Sequence, residues 1–280
     1  KPLGRHEGES PDCQRSAPKP QVLASCPGRF PVFQRKPCRC PPFPQPARVG
    51  TVAWMAYIRS AMTDHYAPPD TPLSILHHDH EILMVDKPSG LLSVPGKGEH
   101  LADCLISRLQ GLFPEVLLVH RLDRDTSGVM VFALTPHAQR HLGLQFEKRM
   151  TKKVYLARVA GHVEPRHGTV DLPLTVDWPN RPLQKVDFET GREAVTDWRV
   201  VRHETGQEGA TTRMRLMPKT GRSHQLRVHM RELGHPILGD SLYATGDARN
   251  APRLMLHAES LRFRHPDGGK SLSFSAPAPF

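Results

Sequence analysis

A mixture of β-strands and fewer α-helices is what to expect from this 280-residue chain. Short apolar runs of strand length outnumber helical stripes, and the two kinds alternate along the chain. Residues 129–134 (Val-Met-Val-Phe-Ala-Leu) and 152–159 (Lys-Lys-Val-Tyr-Leu-Ala-Arg-Val) have strand length and content, whereas Leu101, Leu105, Leu109 and Leu112 recur at helical spacing. Pro173, Pro179 and Pro182 exclude a helix from the long stretch between two later strands. The length suffices for one large or two modest domains with a real core.

Composition narrows the partners. Lys and Arg number 38 against 28 Asp and Glu, a formal charge of +10 that suits a polyanion such as nucleic acid. Residues 1–61 hold ten basic and three acidic side chains, +7 of that total. The remainder is nearly balanced, so an RNA surface there must come from local clustering. Four of the five cysteines (Cys13, Cys26, Cys38 and Cys40) fall in the same early stretch, and Cys104 alone falls in the part of globular character. A secreted disulfide framework would put its bridges in the folded part, so a reducing cytoplasm is expected. The early cysteines lack the close pairing of a structural zinc site, and no metal is expected. No run of about 18 apolar residues occurs, so no membrane span is expected. Residues 49–58, the nearest candidate, are too short for a span and lack a cleavage pattern.

Residues 1–65, rich in Pro, Arg and Gly, show no sustained period of 2 or 3.6. They are expected to be a disordered tail, because they bury too little apolar area to offset the entropy of ordering. Two readings stay open, a basic RNA-tethering arm or sequence upstream of a true start at Met62, and we favour the second. Residues 66–280 are the expected folded domain.

Within it, residues 81–88 predict a strand stopped by Pro88, and residues 89–96 a tight turn with a second extended piece. The leucine stripe of residues 101–112 predicts a helix ended by Gly111 and Pro114. Residues 116–119 and 129–134 are strands that grip His120-Arg121-Leu122-Asp123-Arg124-Asp125-Thr126-Ser127-Gly128 between them. A charged loop fixed at both ends suits catalytic groups, because the scaffold sets their geometry. A polar hairpin with an Asx-type turn over residues 125–128 is an equal alternative on this segment alone. Thr135 caps the next helix with Pro136 in its first turn, and Ala138, Leu142, Phe146 and Met150 give it one buried stripe. In the following strand, Tyr155 lies on the face opposite Val154 and Leu156, where a core tyrosine is the plain reading. Residues 171–182 are a proline-punctuated surface connection, followed by strands near 194–201 and 212–217. Ser223 is the expected cap of a helix with Leu226, Met230 and Leu233 as its stripe and Gly234 at its end. His224, Arg227 and Arg231 share a neighbouring face, which on spacing alone is a solvated basic stripe.

His-Arg-Leu-Asp at 120–123, with Thr-Ser-Gly at 126–128, resembles the catalytic motif of the RluA-type pseudouridine synthases. The resemblance runs over about residues 72–280. It takes in the opening strand at 81–88, the Lys-x-Tyr-x-Ala setting of Tyr155, Lys219 to Arg231, and the segments 234–240 and 253–258. It implies that Asp123 is the essential aspartate, Tyr155 the active-site tyrosine and Arg227 the arginine that pairs with Asp123. Arg121 then fills the place of an extruded uridine or contacts the displaced strand, and Arg124-Asp125 is a variable pair. The fold implied is a single α+β catalytic domain over residues 66–280, with a mixed, largely antiparallel sheet, peripheral helices and an RNA cleft along one side. The loop at 171–186 resembles one branch of the family more than the family at large. That branch acts on a uridine of the anticodon stem-loop of some tRNAs and on one of 23S rRNA, so these RNAs are the expected partners of a monomer without an obligatory protein partner.

The chemistry implied breaks the bond from ribose C1′ to uracil N1, turns the base and rejoins it through C5. It conserves atoms and needs no cofactor, energy source or obligatory metal. An ionised carboxylate must act beside the sugar after RNA excludes water; burial would raise its pKa, and an adjacent Arg227 would oppose that, typically by about 1 to 3 units. Tyr155 could stack on the uracil and act as base for the C5 proton. The uridine must first leave its stack, at a few kcal/mol, which favours single-stranded loops. Arg121, Lys152, Lys153, Arg222, His224 and Arg231 are the expected RNA contacts, with salt-sensitive binding. Two other classes stay open: an RNA-binding module that has lost catalysis, and a glycosidase with Asp125 as its second carboxylate.

Overall fold

The computed structural model describes Val32–Phe33, residues 66–206 and residues 209–280. The expectation for the rest of residues 1–65 lies outside the described residues.

The strands that hold the site are apolar on both faces, and that places them inside the sheet. All seven residues of β5 (Ser127–Ala133) are buried, as are Ile82, Leu83, Met84 and Val85 of β3 (Ile82–Lys87). Around them the sheet comprises β1 (Val32–Phe33), β2 (Ser74–His78), β4 (Leu117–Leu118), β6 (Lys152–Ala160), β7 (His167–Asp171), β10 (Val195–Gly206), β11 (Gly209–Pro218), β12 (Leu256–Arg264) and β13 (Ser271–Ser275). The spatial order is β1-β7-β10-β11-β6-β12-β5-β3-β2, with β4 beside β5 and β13 beside β12. Only β1 with β7 and β12 with β5 run parallel, so the sheet is mixed and largely antiparallel, as expected. A separate hairpin pairs β8 (Leu174–Val176) with β9 (Gln184–Val186).

Three helices lie on this frame. α1 (Leu105–Gln110) packs Leu105 and Leu109 against Leu83, Val85, Met130 and Phe132 on one face of β3 and β5. α2 (Pro136–Glu147) covers the other face, with Ala138 and Leu142 against Ile82, Met84, Val129 and Val131. α3 (Gln225–Glu232) seats Leu226 and Met230 on the β6, β10 and β11 half, against Ala157, Val159, Trp198, Met214 and Leu216. Each such side chain contributes roughly 1.5 to 3 kcal/mol by leaving water.

Hydrogen bonds set boundaries that periodicity missed. The leucine stripe does not make one helix: Glu99–Leu101 is a separate 3-10 turn, and Leu112 is 62% exposed. α1 starts at Leu105 because the Ser107 hydroxyl turns back to accept from the Cys104 N–H at 3.0 Å. In α2 the expected cap is present, with Thr135 Oγ1 accepting from the Ala138 N–H at 3.0 Å. That helix ends at Glu147, and Arg149 turns left-handed (φ 58), so Met150 leaves the stripe and is 51% exposed. In α3, His224 and not Ser223 takes the cap position, at φ 53. No side chain caps this helix; Gln225 Oε1 instead fixes the turn before it, accepting from the Arg222 N–H at 3.0 Å and from the Thr220 hydroxyl at 2.8 Å. Residues 89–96 are turn without the second extended strand, and the last strand begins at Leu256, leaving Arg253 outside it. The loop expected over 171–182 is partly ordered into β8 and a 3-10 turn, Trp178–Asn180.

Candidate active site

The site begins with a glycine. Gly128 opens β5 at φ 118, and a Cβ there would lie 2.4 Å from the carbonyl oxygen of Ala258. Only glycine lets β12 approach closely enough for the parallel register His257↔Ser127 and Ala258↔Gly128. The loop before it is clamped by residues 87–93. Ser93 Oγ donates to the Leu122 carbonyl at 2.7 Å and accepts from the Leu122 N–H at 3.2 Å, and Ser89 Oγ donates to the Asp125 carbonyl at 2.6 Å. Lys87 is fully buried and donates to the carbonyls of Leu91 (2.6 Å), Arg124 (2.8 Å) and Pro88 (2.9 Å). Burial pushes its pKa down to about 7, against the pull of Asp125 and Asp123. Sequence reasoning assigned Lys87, Ser89 and Ser93 no part in the site. Their function is to fix a loop some 30 residues away, a contact that local patterning does not encode.

Asp123 opens onto a cavity of about 320 Å³, shared with His120, Arg121, Lys153, Tyr155, Arg222, His224 and Arg227. Among the described residues Asp123 is the only carboxylate lining it. Asp125, the second carboxylate a glycosidase would need, is instead paired with Arg124 Nε at 2.9 Å. Arg227 Nη1 stands 3.6 Å from Asp123 Oδ2, an ion pair too long to be a hydrogen bond. The arginine is not on a solvated face: it is 3% exposed, and its tighter partner is the buried Asp240. Nε and Nη2 donate to the two Asp240 oxygens at 2.8 and 2.7 Å, a bidentate grip. Asp240 Oδ1 also accepts from the N–H groups of Leu242 and Tyr243, each at 3.0 Å. Asp240 is the residue sequence reasoning missed; it stood inside a recognised segment without an assigned role.

Tyr155 is half-buried beside Leu256 at the cavity wall. Burial, and then the charge of Asp123, push its hydroxyl well above the usual range. It is therefore a neutral phenol, placed as a wall of the pocket. His120 is neutral too. Burial, helped by Lys153, pushes it down to about 3, and its Nε2 accepts from the Val131 N–H at 3.1 Å while its ring stacks on Phe146. His224 Nδ1 lies 2.7 Å from the Tyr243 hydroxyl, which already accepts from the Gln184 N–H at 2.9 Å. The other ring nitrogen, Nε2, stands 4.0 Å from Asp123. Burial lowers the His224 pKa even though Asp123 works to raise it.

The other basic residues divide. Lys153 and Arg222 line the cavity: Lys153 donates to the Thr220 carbonyl at 3.2 Å and is lowered to about 8 by burial and then Arg149, and Arg222 donates to the Glu193 carbonyl at 2.9 Å. Arg121 is exposed at its edge. Lys152 and Arg231 do not line it; Arg231 pairs with Glu232 at 2.6 Å and lies over the Tyr243 ring. The arrangement supplies one carboxylate with open lone pairs beside a guanidinium, an aromatic wall and a basic rim, in a hollow able to take one nucleoside.

Residues 81–232 match the sequence model of the family described as RNA pseudouridylate synthase, and the chain belongs to that family. It is thus an RNA-modifying isomerase that forms pseudouridine. Among named relatives it is similar to the dual-specificity RNA pseudouridine synthase RluA of Escherichia coli K12, with 55% identity over 219 residues that cover 78% of this chain and 99% of that protein. RluA of Vibrio vulnificus is 52% identical over 222 residues, 79% of this chain and 89% of its own. In fold it resembles human RNA Pseudouridylate Synthase Domain Containing 1, with a TM-score of 0.64 and 30% identity, covering 76% of this chain and 87% of that one. Human RNA Pseudouridylate Synthase Domain Containing 4 gives 0.59 and 25%, covering 81% and 94%. No helix among the described residues is long and apolar enough to cross a membrane.

Proposed function

We propose that this enzyme isomerises one uridine of a tRNA anticodon stem-loop and one loop uridine of 23S rRNA, in the cytoplasm and as a monomer, with residues 66–280 as its catalytic unit. The observation that carries the catalytic part is the lone carboxylate of the cavity, Asp123, beside a guanidinium held from behind by a second aspartate. The substrate part is supported by the identity to relatives named for dual specificity. An unpaired loop uridine swings into the cavity at a cost of a few kcal/mol of stacking, and Arg121 at the rim takes up the vacated space. Asp123 acts at the ribose, as nucleophile at C1′ or as base, and the C1′–N1 bond breaks. Arg227 sets a positive charge beside the carboxylate, with Asp240 supplying the counter-charge that lets the arginine be buried. Tyr155 walls the detached uracil while it turns. C1′ then bonds to C5, the C5 proton leaves and N1 is protonated, so the RNA mass is unchanged. Lys153, Arg222 and His224 hold neighbouring phosphates.

The test is to incubate tRNA and 23S rRNA with the protein and map C-linked uridines. New pseudouridine in a tRNA anticodon loop and in rRNA supports the reading; free uracil, or modification of neither RNA, would contradict it.

A further inference from the structure

The hairpin of β8 and β9 carries a feature the cavity chemistry does not use. Trp178, at its tip, is 66% exposed. The guanidinium of Arg181 lies over the indole, 3.4 Å from the ring centroid, so one ring face is covered by a cation and the other is open. Lone exposed apolar residues are common and need no explanation by themselves, but three further observations separate this one from the ordinary case.

The tip is held rigid. Asn180 donates from its backbone to the Asp177 carbonyl at 3.0 Å and from its side chain to the Asp177 carboxylate at 2.9 Å. The Leu183 N–H donates to the Asn180 carbonyl at 3.0 Å, the Asp177 N–H donates to the Leu183 carbonyl at 2.9 Å, and Pro179 and Pro182 fix their own φ. An indole presented this way loses little entropy on meeting a flat ligand. The tip is also tied to the reaction site. The Gln184 N–H donates to the Tyr243 hydroxyl, and that hydroxyl is hydrogen-bonded to His224 Nδ1 at the cavity wall. Leu183 and Val186 pack with Val228 of α3, the helix that carries Arg227. Finally, its chemistry is that of a nucleobase shelf. A cation-backed indole stacks on any base by its π-face, and the guanidinium can meet the adjoining phosphate.

We propose that Trp178 and Arg181 form a stacking shelf for an unpaired base of the substrate RNA, next to the uridine held at Asp123. This rests on the RNA-loop reading above and deepens it. A π-face reads no base edges, so the shelf tolerates different flanking bases.

The test uses the full chain with Trp178→Ala and Trp178→Phe, on an anticodon stem-loop RNA. The shelf predicts that Trp178→Ala weakens RNA binding about ten- to hundredfold while kcat at saturating RNA stays within twofold, and that Trp178→Phe restores most of the affinity. RNA should quench tryptophan emission in the wild type but much less in Trp178→Phe, where only Trp54 and the buried Trp198 remain. Affinity of Trp178→Ala within twofold of wild type overturns the shelf, as does a loss confined to kcat or an unchanged quench in Trp178→Phe. A wild-type enzyme that turns over beside an unaffected Trp178→Ala removes the shelf alone; a wild-type enzyme that forms no pseudouridine removes the underlying reading and the shelf with it.

Discussion

Arg227 serves two carboxylates on different terms. Asp240 takes both good hydrogen bonds, and Asp123 receives only a 3.6 Å ion pair. Such an arrangement gives Asp123 a neighbouring positive charge without a hydrogen bond that would occupy its lone pairs. Replacing Asp240 by Asn leaves a buried guanidinium without its counter-charge, and breaking a buried pair from one side costs about 3 to 5 kcal/mol. Asp240→Asn should therefore lower the thermal midpoint and reduce kcat more than it raises KM, measured by melting curves and steady-state kinetics; an unchanged kcat would remove Asp240 from the site. Gly128→Ala should be at least as damaging, since its Cβ meets the Ala258 backbone at 2.4 Å and φ 118 is strained for alanine. A soluble variant that melts with the wild type would contradict that close approach. At this scale the sequence was legible where chemistry is contiguous, as from His120 to Gly128. It was not legible for Asp240 or Lys87, because a buried polar partner is chosen by the fold and leaves no local pattern.

Among the strands, the polar counterpart of the core is Glu204. It sits on β10 between Arg202 of the same strand, Arg213 of β11 and Arg158 of β6, each with Nε at 2.8 or 2.9 Å. Burial works to raise its pKa, but the hydrogen bonds from Arg213, Arg202 and Arg158 prevail and hold it at about 2. The folded pKa lies below the ordinary carboxylate value. The stabilisation is therefore fully present above about pH 5 and is lost as pH falls from about 4.5 toward 2. Glu204→Gln should be less stable than wild type at pH 7 by on the order of 2 kcal/mol, with the gap closing on acidification. Denaturant titrations at pH 7 and pH 3 would show it, and a gap that persists unchanged at pH 3 would contradict the linkage. Element existence was well predicted here, because alternation and Pro or Gly punctuation are local. Helix ends were not: the Ser107 side chain at one helix start, the left-handed cap residue His224 at another and the left-handed turn at Arg149 set them.

For the whole molecule, the mixed, strand-rich character followed from reading apolar runs, and the α+β class followed from the family resemblance. The parallel placement of β12 beside β5 did not, since 130 residues separate Ser127 and Gly128 from their partners His257 and Ala258, and only the finished sheet brings them together. Charge is also distributed at this scale, with +7 of the +10 in residues 1–61. A chain beginning at Met62 should keep the kcat of the full one and show a shallower dependence of RNA affinity on salt, because fewer cations meet phosphate. Loss of turnover in that shorter chain would place part of the site in the first 61 residues.

The most direct measurement is isomerisation by Asp123→Asn, followed as pseudouridine formed in a stem-loop RNA under single turnover, with RNA affinity determined on the same protein. The expected result is affinity within a few-fold of wild type and no detectable product. A rate within tenfold of wild type would show that the carboxylate is not the reacting group.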